Sequence, residues 1–133
     1  MPTGKLNFPR SARLLANSQF KAVLARRLVA RDEVLVLYAR ENGLDYARLG
    51  ISISKSGTNA VIRNRIKRLL REAFRQNRHI IPAGFDYVAT IAAGRGQNVG
   101  NKAKVKAGVK ALKFEQIRDS LLNLSFRFVS KRA

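Results

Sequence analysis

The chain has 133 residues, of which 27 are Lys or Arg and 8 are Asp or Glu, so its net charge is +19. It has no cysteine, which excludes disulfides, thiolate metal sites and cysteine nucleophiles, and no run reaches the roughly 18 apolar residues of a membrane span. We therefore expect one soluble cytoplasmic domain over residues 1–133 whose partner is a large polyanion, with nucleic acid favoured over an anionic membrane surface.

The first predicted elements are a basic arm and a short helix. Residues 5–15 are irregular and basic, and Pro9 prevents a helix from running through them. Ser18 is a predicted N-cap for a helix of about ten residues that ends near Arg27. Its apolar positions recur at helical spacing, namely Phe20, Val23, Leu24 and Leu28.

Two strands are predicted next. Residues 33–40 are rich in β-branched and aromatic types, and residues 47–54 alternate apolar with polar or small side chains. Between them lies Asn42-Gly43, a dipeptide suited to the positive backbone angles of a hairpin turn. The pattern predicts an antiparallel hairpin with one polar face.

A strongly basic helix follows the second strand. Thr58 or Asn59 can cap it, and we expect it to run to about His79, with Pro82 closing it. Placed at about 100° per residue, one sector is apolar, comprising Ile62, Ile66, Leu69, Leu70 and Ala73. The opposite face and the flanks carry seven Lys or Arg against the single acid Glu72. This imbalance predicts an external anion, and the dominance of arginine favours phosphate.

The remaining elements complete an α/β arrangement. Residues 85–93 form a third strand, which a helix connects to the preceding one, so a strand-helix-strand crossover is predicted. Residues 94–113 are rich in glycine and lysine and predict a mobile basic loop. A closing amphipathic helix is predicted from Phe114, and residues 130–133 are predicted to be a frayed basic tail.

The segment "ISISKSGTNAVIRNRIKRLLREAF" resembles the protein subunit of bacterial ribonuclease P. It matches the hallmark Arg-Asn-Arg helix of that family, and the similarity extends over most of the chain. The resemblance implies an α/β (α+β) two-layer sandwich with a mixed sheet of about four strands, three helices and a left-handed crossover. Composition does not predict that handedness, because the usual rule for parallel units is right-handed.

The same resemblance implies a function in tRNA processing. In this family the catalyst is an RNA subunit that uses magnesium to remove the 5′ leader of precursor tRNA, and the protein contributes no catalytic residue. One protein per catalytic RNA is expected, with no membrane partner. The matching positions imply contacts with the RNA subunit by Arg63, Asn64, Arg65, Lys67, Arg68 and Arg71. They also imply a cleft for the single-stranded leader, formed by Phe20, Leu24, Tyr38, Ser52 and Lys55.

Three features depart from the family pattern. Leu24 stands where relatives often have a second phenylalanine, so an aliphatic surface replaces one stacking ring. Ser56 replaces the second lysine of the usual pair, and the glycine comes one position early, at Gly57. The basic loop 94–113 is longer and more basic than usual, and the sequence does not assign it to RNA or to solvent.

Two other classes of function are open at this point. A non-catalytic structural RNA-binding protein of the ribosomal type fits the same charge and fold, but it would show no preference for a leader. A protein-only nuclease would need a metal site or a general base. The candidates for that role are Glu115, Asp119 and His79, although paired acids on a helix are more typical of surface partners for Arg118. The sequence assigns no residue that helps the RNA to bind metal.

Overall fold

The computed structural model describes residues 10–14, 16–54, 59–92 and 112–132. The predicted basic loop 94–113 lies outside these residues except for its last two positions, and Lys55, Ser56 and Gly57 lie outside them too. The described elements are, in chain order, a 3-10 turn Arg10–Ala12, α1 Asn17–Arg26, β1 Leu28–Arg31, β2 Leu35–Glu41, β3 Arg48–Ile51, α2 Ala60–Asn77, β4 Phe85–Ile91 and α3 Phe114–Arg132.

The four strands form one mixed sheet with the order β1-β2-β4-β3. β2 pairs antiparallel with both β1 and β4, whereas β3 pairs parallel with β4. The predicted four-stranded mixed sheet, with three helices in the described residues, is confirmed, as is the crossover from β3 through α2 to β4. Its left-handedness stays an implication of the resemblance.

The predicted antiparallel hairpin between β2 and β3 is wrong, because β4 lies between these two strands. Residues Phe85 to Ala89 of β4 are buried on both faces, because helices cover this central strand on both sides of the sheet. Gly43 does have a positive φ of 71°. Its turn opens an irregular loop, in which the Asn42 side chain accepts a hydrogen bond from the Leu44 amide at 2.8 Å.

The first helix ends one residue earlier than its apolar spacing indicates. Arg27 adopts a left-handed conformation with φ 61°, and Leu28 then begins β1, a strand that the sequence patterns did not predict. The predicted N-cap at Ser18 is also wrong. Ala16 occupies the cap position, and its backbone N–H donates to the Oε1 atom of Gln19 at 3.0 Å.

One face of the sheet packs against α2 and α3. The predicted apolar sector of α2 is confirmed, with Phe74 added to its buried residues and Leu69 only half-buried. From α3, Phe128 packs against Phe85 and Tyr87 of β4 with ring centroids 6.2 and 6.0 Å apart. The helical structure of α3 continues through Arg132, so the predicted fraying of residues 130–132 is not observed.

The other face of the sheet carries α1. Tyr38 and Val88 alternate with side chains of the larger core, so they point to the opposite face, where they pack with Val23 of α1. Leu14 of the arm joins this second cluster. Arg13 pairs with Leu49 along the outer edge of β3, and Ala12 and Leu14 of the arm are buried against the core.

Candidate nucleic-acid interface

Helix α2 presents its cations on a rigid support. Asn59 caps the helix, since its Oδ1 atom accepts a hydrogen bond from the Ile62 amide at 2.9 Å. The buried apolar sector then fixes the rotation of the helix. As a result Asn64, Arg68 and Arg71, which recur at intervals of four and three residues, form an exposed outward stripe.

The remaining predicted contacts of α2 lie on its flanks. Arg63 and Lys67 are half-buried and lie on the side of Arg71, because positions four residues apart share a helix face. Arg65 lies on the other flank, and its side chain forms a hydrogen bond within the protein itself. Its Nη2 atom donates to the backbone carbonyl of Leu112 at 2.6 Å, while its Nη1 atom is buried without a hydrogen-bond partner among the described residues.

The acid of α2 neutralises a cation near the end of the helix. Glu72 forms an ion pair with Arg75 and also accepts from Gln76 at 3.1 Å. Hydrogen bonds from Arg75 and then from Gln76 lower the pKa of Glu72 to about 2. Glu72 is therefore ionised at neutral pH and already held by its own helix.

The outward stripe keeps its charge in the folded chain. All eight acidic residues of the protein lie within the described residues. None of them is ion-paired there with Lys67, Arg68 or Arg71. Two cations of the outward stripe and one on the flank beside it, none of them paired with an acid, favour an external polyanion.

The predicted leader cleft lies on the face that carries α1. Phe20 and Tyr38 are half-buried and pack against the same second cluster, so each offers only part of its ring to a ligand. Leu24 lies one turn beyond Phe20 with 43% of its surface exposed. Ser52 is exposed just beyond β3, and its amide donates to the carbonyl of Ala89 at 3.0 Å. The structure therefore places Phe20, Leu24 and Tyr38 together on the side of α1 and Ser52 just beyond the end of β3, while Lys55 lies outside the described residues.

A cavity joins this face to α2 at the outer edge of β3. We call it the edge cavity; it has a volume of about 270 Å³, close to the lower limit of about 300 Å³ for small-ligand pockets. Its lining includes Phe20 and Gly50 on one side and Lys67 and Arg71 of α2 on the other. Arg13 also lines it, and an aromatic ring with three cations around one opening suits a nucleotide, which has a flat base and a phosphate.

Arg13 and Gly50 are among the edge-cavity residues that the sequence did not assign to a site. Arg13 lines the edge cavity because the arm pairs with the edge of β3, and no local sequence pattern predicts that contact. Gly50 lies on the α1 face of β3, and the alternation of residues 47–54 did place it on the polar side of the strand. Nothing in that pattern indicated its neighbour Phe20.

An ion-pair network supports β3 next to this cavity. The carboxylate of Asp86 on β4 accepts from the Nε and Nη2 atoms of Arg48, both at 2.7 Å, and from the Nδ2 atom of Asn42 at 2.9 Å. Only 3% of the Asp86 side chain is exposed. The hydrogen bond to Asp86 raises the pKa of Arg48 above its ordinary value.

The candidate residues for a protein-only nuclease do not assemble into a site. Asp119 pairs with Arg118 at 2.9 Å on the surface of α3, as expected for a solvent-facing acid, and His79 is exposed after the end of α2. The described ranges contain no group of three or more His, Cys, Asp or Glu residues that could hold a metal ion. Across those same ranges, no helix has the length and apolar character needed to cross a bilayer.

Comparison with known proteins agrees with this geometry. A family model described as Ribonuclease P matches residues 8–128. The ribonuclease P protein component of Brevibacillus brevis is 40% identical over 119 residues, which cover 89% of this chain and 83% of that protein. The ribonuclease P protein component of Thermotoga maritima is 35% identical over 118 residues, covering 89% and 92%.

Solved structures of such proteins share the fold. The RNase P protein from Thermotoga maritima matches with a TM-score of 0.70 and 32% identity, covering 86% of this chain and 96% of that one. The RNase P protein of Staphylococcus aureus matches with a TM-score of 0.66 and 26% identity, covering 89% and 94%. This chain therefore belongs to the ribonuclease P protein family.

Proposed function

We propose that this chain binds the catalytic RNA of ribonuclease P through α2 and the single-stranded 5′ leader of precursor tRNA across the α1 face. As a member of its family it is the protein subunit of a ribonucleoprotein endoribonuclease. It assists removal of the leader, and the RNA performs the hydrolysis. One protein acts with one catalytic RNA in the cytoplasm, and the absence of cysteine is compatible with that reducing compartment.

The observation that carries the proposal is the juxtaposition of two surfaces on one rigid helix. The outward stripe of α2 has cations without acidic partners in the described residues, which suits the phosphates of a folded RNA. Lys67 and Arg71 of the same helix line the edge cavity together with Phe20. A base that stacks on an aromatic ring gains about 1 to 3 kcal/mol with little sequence preference. Such tolerance suits a protein that handles many leaders.

Magnesium is assigned to the RNA partner in this proposal. The described residues offer no acidic or histidine cluster that could bind it. Hard cations such as Mg²⁺ prefer oxygen ligands, which RNA phosphates supply in abundance. The chemistry supplied by the ion is activation of water and stabilisation of charge at the phosphodiester.

Reconstitution with a bacterial ribonuclease P RNA at low magnesium tests the proposal. We expect the protein alone to cleave nothing, and the complex to bind and cleave precursor tRNA in preference to mature tRNA. Phe20→Ala should reduce that preference by about tenfold, the scale of one lost stack. Phe126→Ala is the matched control, because Phe126 is an exposed aromatic on α3, against the other face of the sheet.

Two results would contradict the proposal. Cleavage of precursor tRNA by the protein without RNA would indicate a protein-only nuclease. Binding of RNA with no gain in precursor preference would indicate a structural RNA-binding protein of the ribosomal type.

A further inference from the structure

Gly50 lies where β3, α1 and the edge cavity meet. The strand register places it beside Val88, which in turn lies beside Tyr38, so these three residues form one row across the α1 face. The ring of Phe20 covers Gly50 directly. A Cβ atom added at position 50 would lie 2.7 Å from Cζ and 2.8 Å from Cε2 of that ring.

The need for glycine at this position is steric. The backbone angles of Gly50 are not in the left-handed region, unlike those of Gly43 and Gly84, so the strand itself would accept another residue. Contacts of 2.7 Å are too short for carbon atoms, which prefer about 3.5 to 4.0 Å. A side chain at position 50 therefore has to displace the Phe20 ring.

The displaced ring has a limited choice of directions. On its inner side Phe20 packs against Leu14, Val23 and Val88, and the Cβ atom of Leu14 is itself only 3.0 Å from the added atom. The opposite direction is the edge cavity, which the ring already lines. A methyl group at position 50 therefore narrows the opening between Phe20 and the two cations of α2.

We propose that Gly50 is a positioning residue that sets the depth of Phe20 and thereby keeps the edge cavity open for one nucleotide of the leader. The base lies against the Phe20 ring, and its phosphate is held by Lys67 and Arg71. This inference rests on the proposed leader-binding function. It gives Lys67 and Arg71 to the substrate, so Arg71, at the margin of the outward stripe, faces the leader. Asn64 and Arg68 of that stripe serve the catalytic RNA.

A double-mutant cycle between Gly50→Ala and Phe20→Ala tests the proposal in the reconstituted complex. We expect Gly50→Ala to lower the preference for precursor over mature tRNA by about tenfold, with the affinity for the RNA subunit unchanged. In the Phe20→Ala background, Gly50→Ala should cause no further loss, because the ring with which it clashes is gone. Additive effects of the two substitutions, or a Gly50→Ala variant with wild-type preference, would overturn the proposal.

Gly43→Ala controls for a general loss of stability. Gly43 has a φ of 71° and open space around its Cα, so alanine strains the backbone there without touching the cavity. That variant should be less stable but keep its precursor preference. An equal loss of preference in Gly43→Ala and Gly50→Ala would reject a positioning role.

A second readout separates this inference from the proposed function. The aromatic NMR resonances of Phe20 in the RNA-free protein should move in Gly50→Ala and stay in place in Gly43→Ala. Unmoved resonances in Gly50→Ala would reject control of Phe20 by Gly50, whatever the leader does. Shifted resonances combined with a Phe20→Ala variant of normal precursor preference would instead reject the leader site.

Discussion

The buried carboxylate of Asp86 makes a quantitative prediction about the support of the interface. Asp86→Asn keeps the size of the side chain but removes the negative charge of the carboxylate to which Arg48 and Asn42 donate hydrogen bonds. Breaking a buried ion pair from one side costs about 3 to 5 kcal/mol. Because 23% of the Arg48 side chain is exposed, water screens part of the released charge, and we expect the lower value of about 3 kcal/mol. For a domain of this size that loss lowers Tm by about 12 °C.

The assay is chemical and thermal unfolding of the RNA-free protein at pH 7, with Asp119→Asn as the matched control. Asp119 pairs with Arg118 at 2.9 Å, but 60% of its side chain is exposed, so its pair contributes little to stability. We expect Asp119→Asn to unfold close to the wild type. If Asp86→Asn unfolds with the same midpoint as Asp119→Asn, the reasoning from burial is wrong.

Three further predictions concern charge and the turn between β1 and β2. Arg68→Ala should lower the slope of log affinity against log salt for the RNA subunit by about 0.7 to 0.9, the loss of one phosphate contact, in a salt titration of binding. Glu72 has a folded pKa of about 2, below its unfolded value, so its contribution to stability is present above about pH 4.5 and lost as the pH falls toward 2. In unfolding measured between pH 6 and 2, Glu72→Gln should be less stable than the wild type near pH 6, and the difference should vanish near pH 2. Asp32→Ala should destabilise the protein by about 1 to 2 kcal/mol in urea unfolding. The Asp32 carboxylate accepts hydrogen bonds from two turn amides and from the Ser120 hydroxyl of α3. Glu33→Ala, at an exposed neighbouring position, is the control and should have little effect.

Local patterns predicted the elements whose signals lie within one segment of chain. Helix α2 has a cap, an apolar sector and a turn at its end, and all three signals agree with its observed bounds to within two residues. β1 has no such independent signal, because its four residues begin with Leu28, which also fits the apolar spacing of α1. Only the left-handed backbone conformation of Arg27 separates the two elements, and an arginine residue does not predict that conformation.

The order of the strands depends on contacts between residues that are far apart in the sequence. The Asn42-Gly43 dipeptide correctly predicted a turn, yet β3 pairs with β4 and not with β2. No signal within residues 33–54 indicates that a later strand is inserted between the two. The position of Arg65 has the same origin. Its partner Leu112 lies 47 residues away, so helical periodicity placed Arg65 on a flank but could not assign it to the protein. The cleft residues were likewise predicted from the family resemblance, because their spacing in the sequence does not indicate that they lie close together.

The charge of α2 and the architecture of the site have one physical explanation. Like charges on a helix repel, and the described acids leave Lys67, Arg68 and Arg71 without ion pairs, so the folded protein keeps that repulsion in the absence of a partner. The buried sector of the helix supplies the opposing stability and also holds the side-chain origins in fixed positions. RNA therefore meets cations that are already arranged, which reduces the ordering cost of binding. In the proposed complex the outward stripe and the edge cavity share α2, so a single packed helix would hold the catalytic RNA and the leader in a fixed relation.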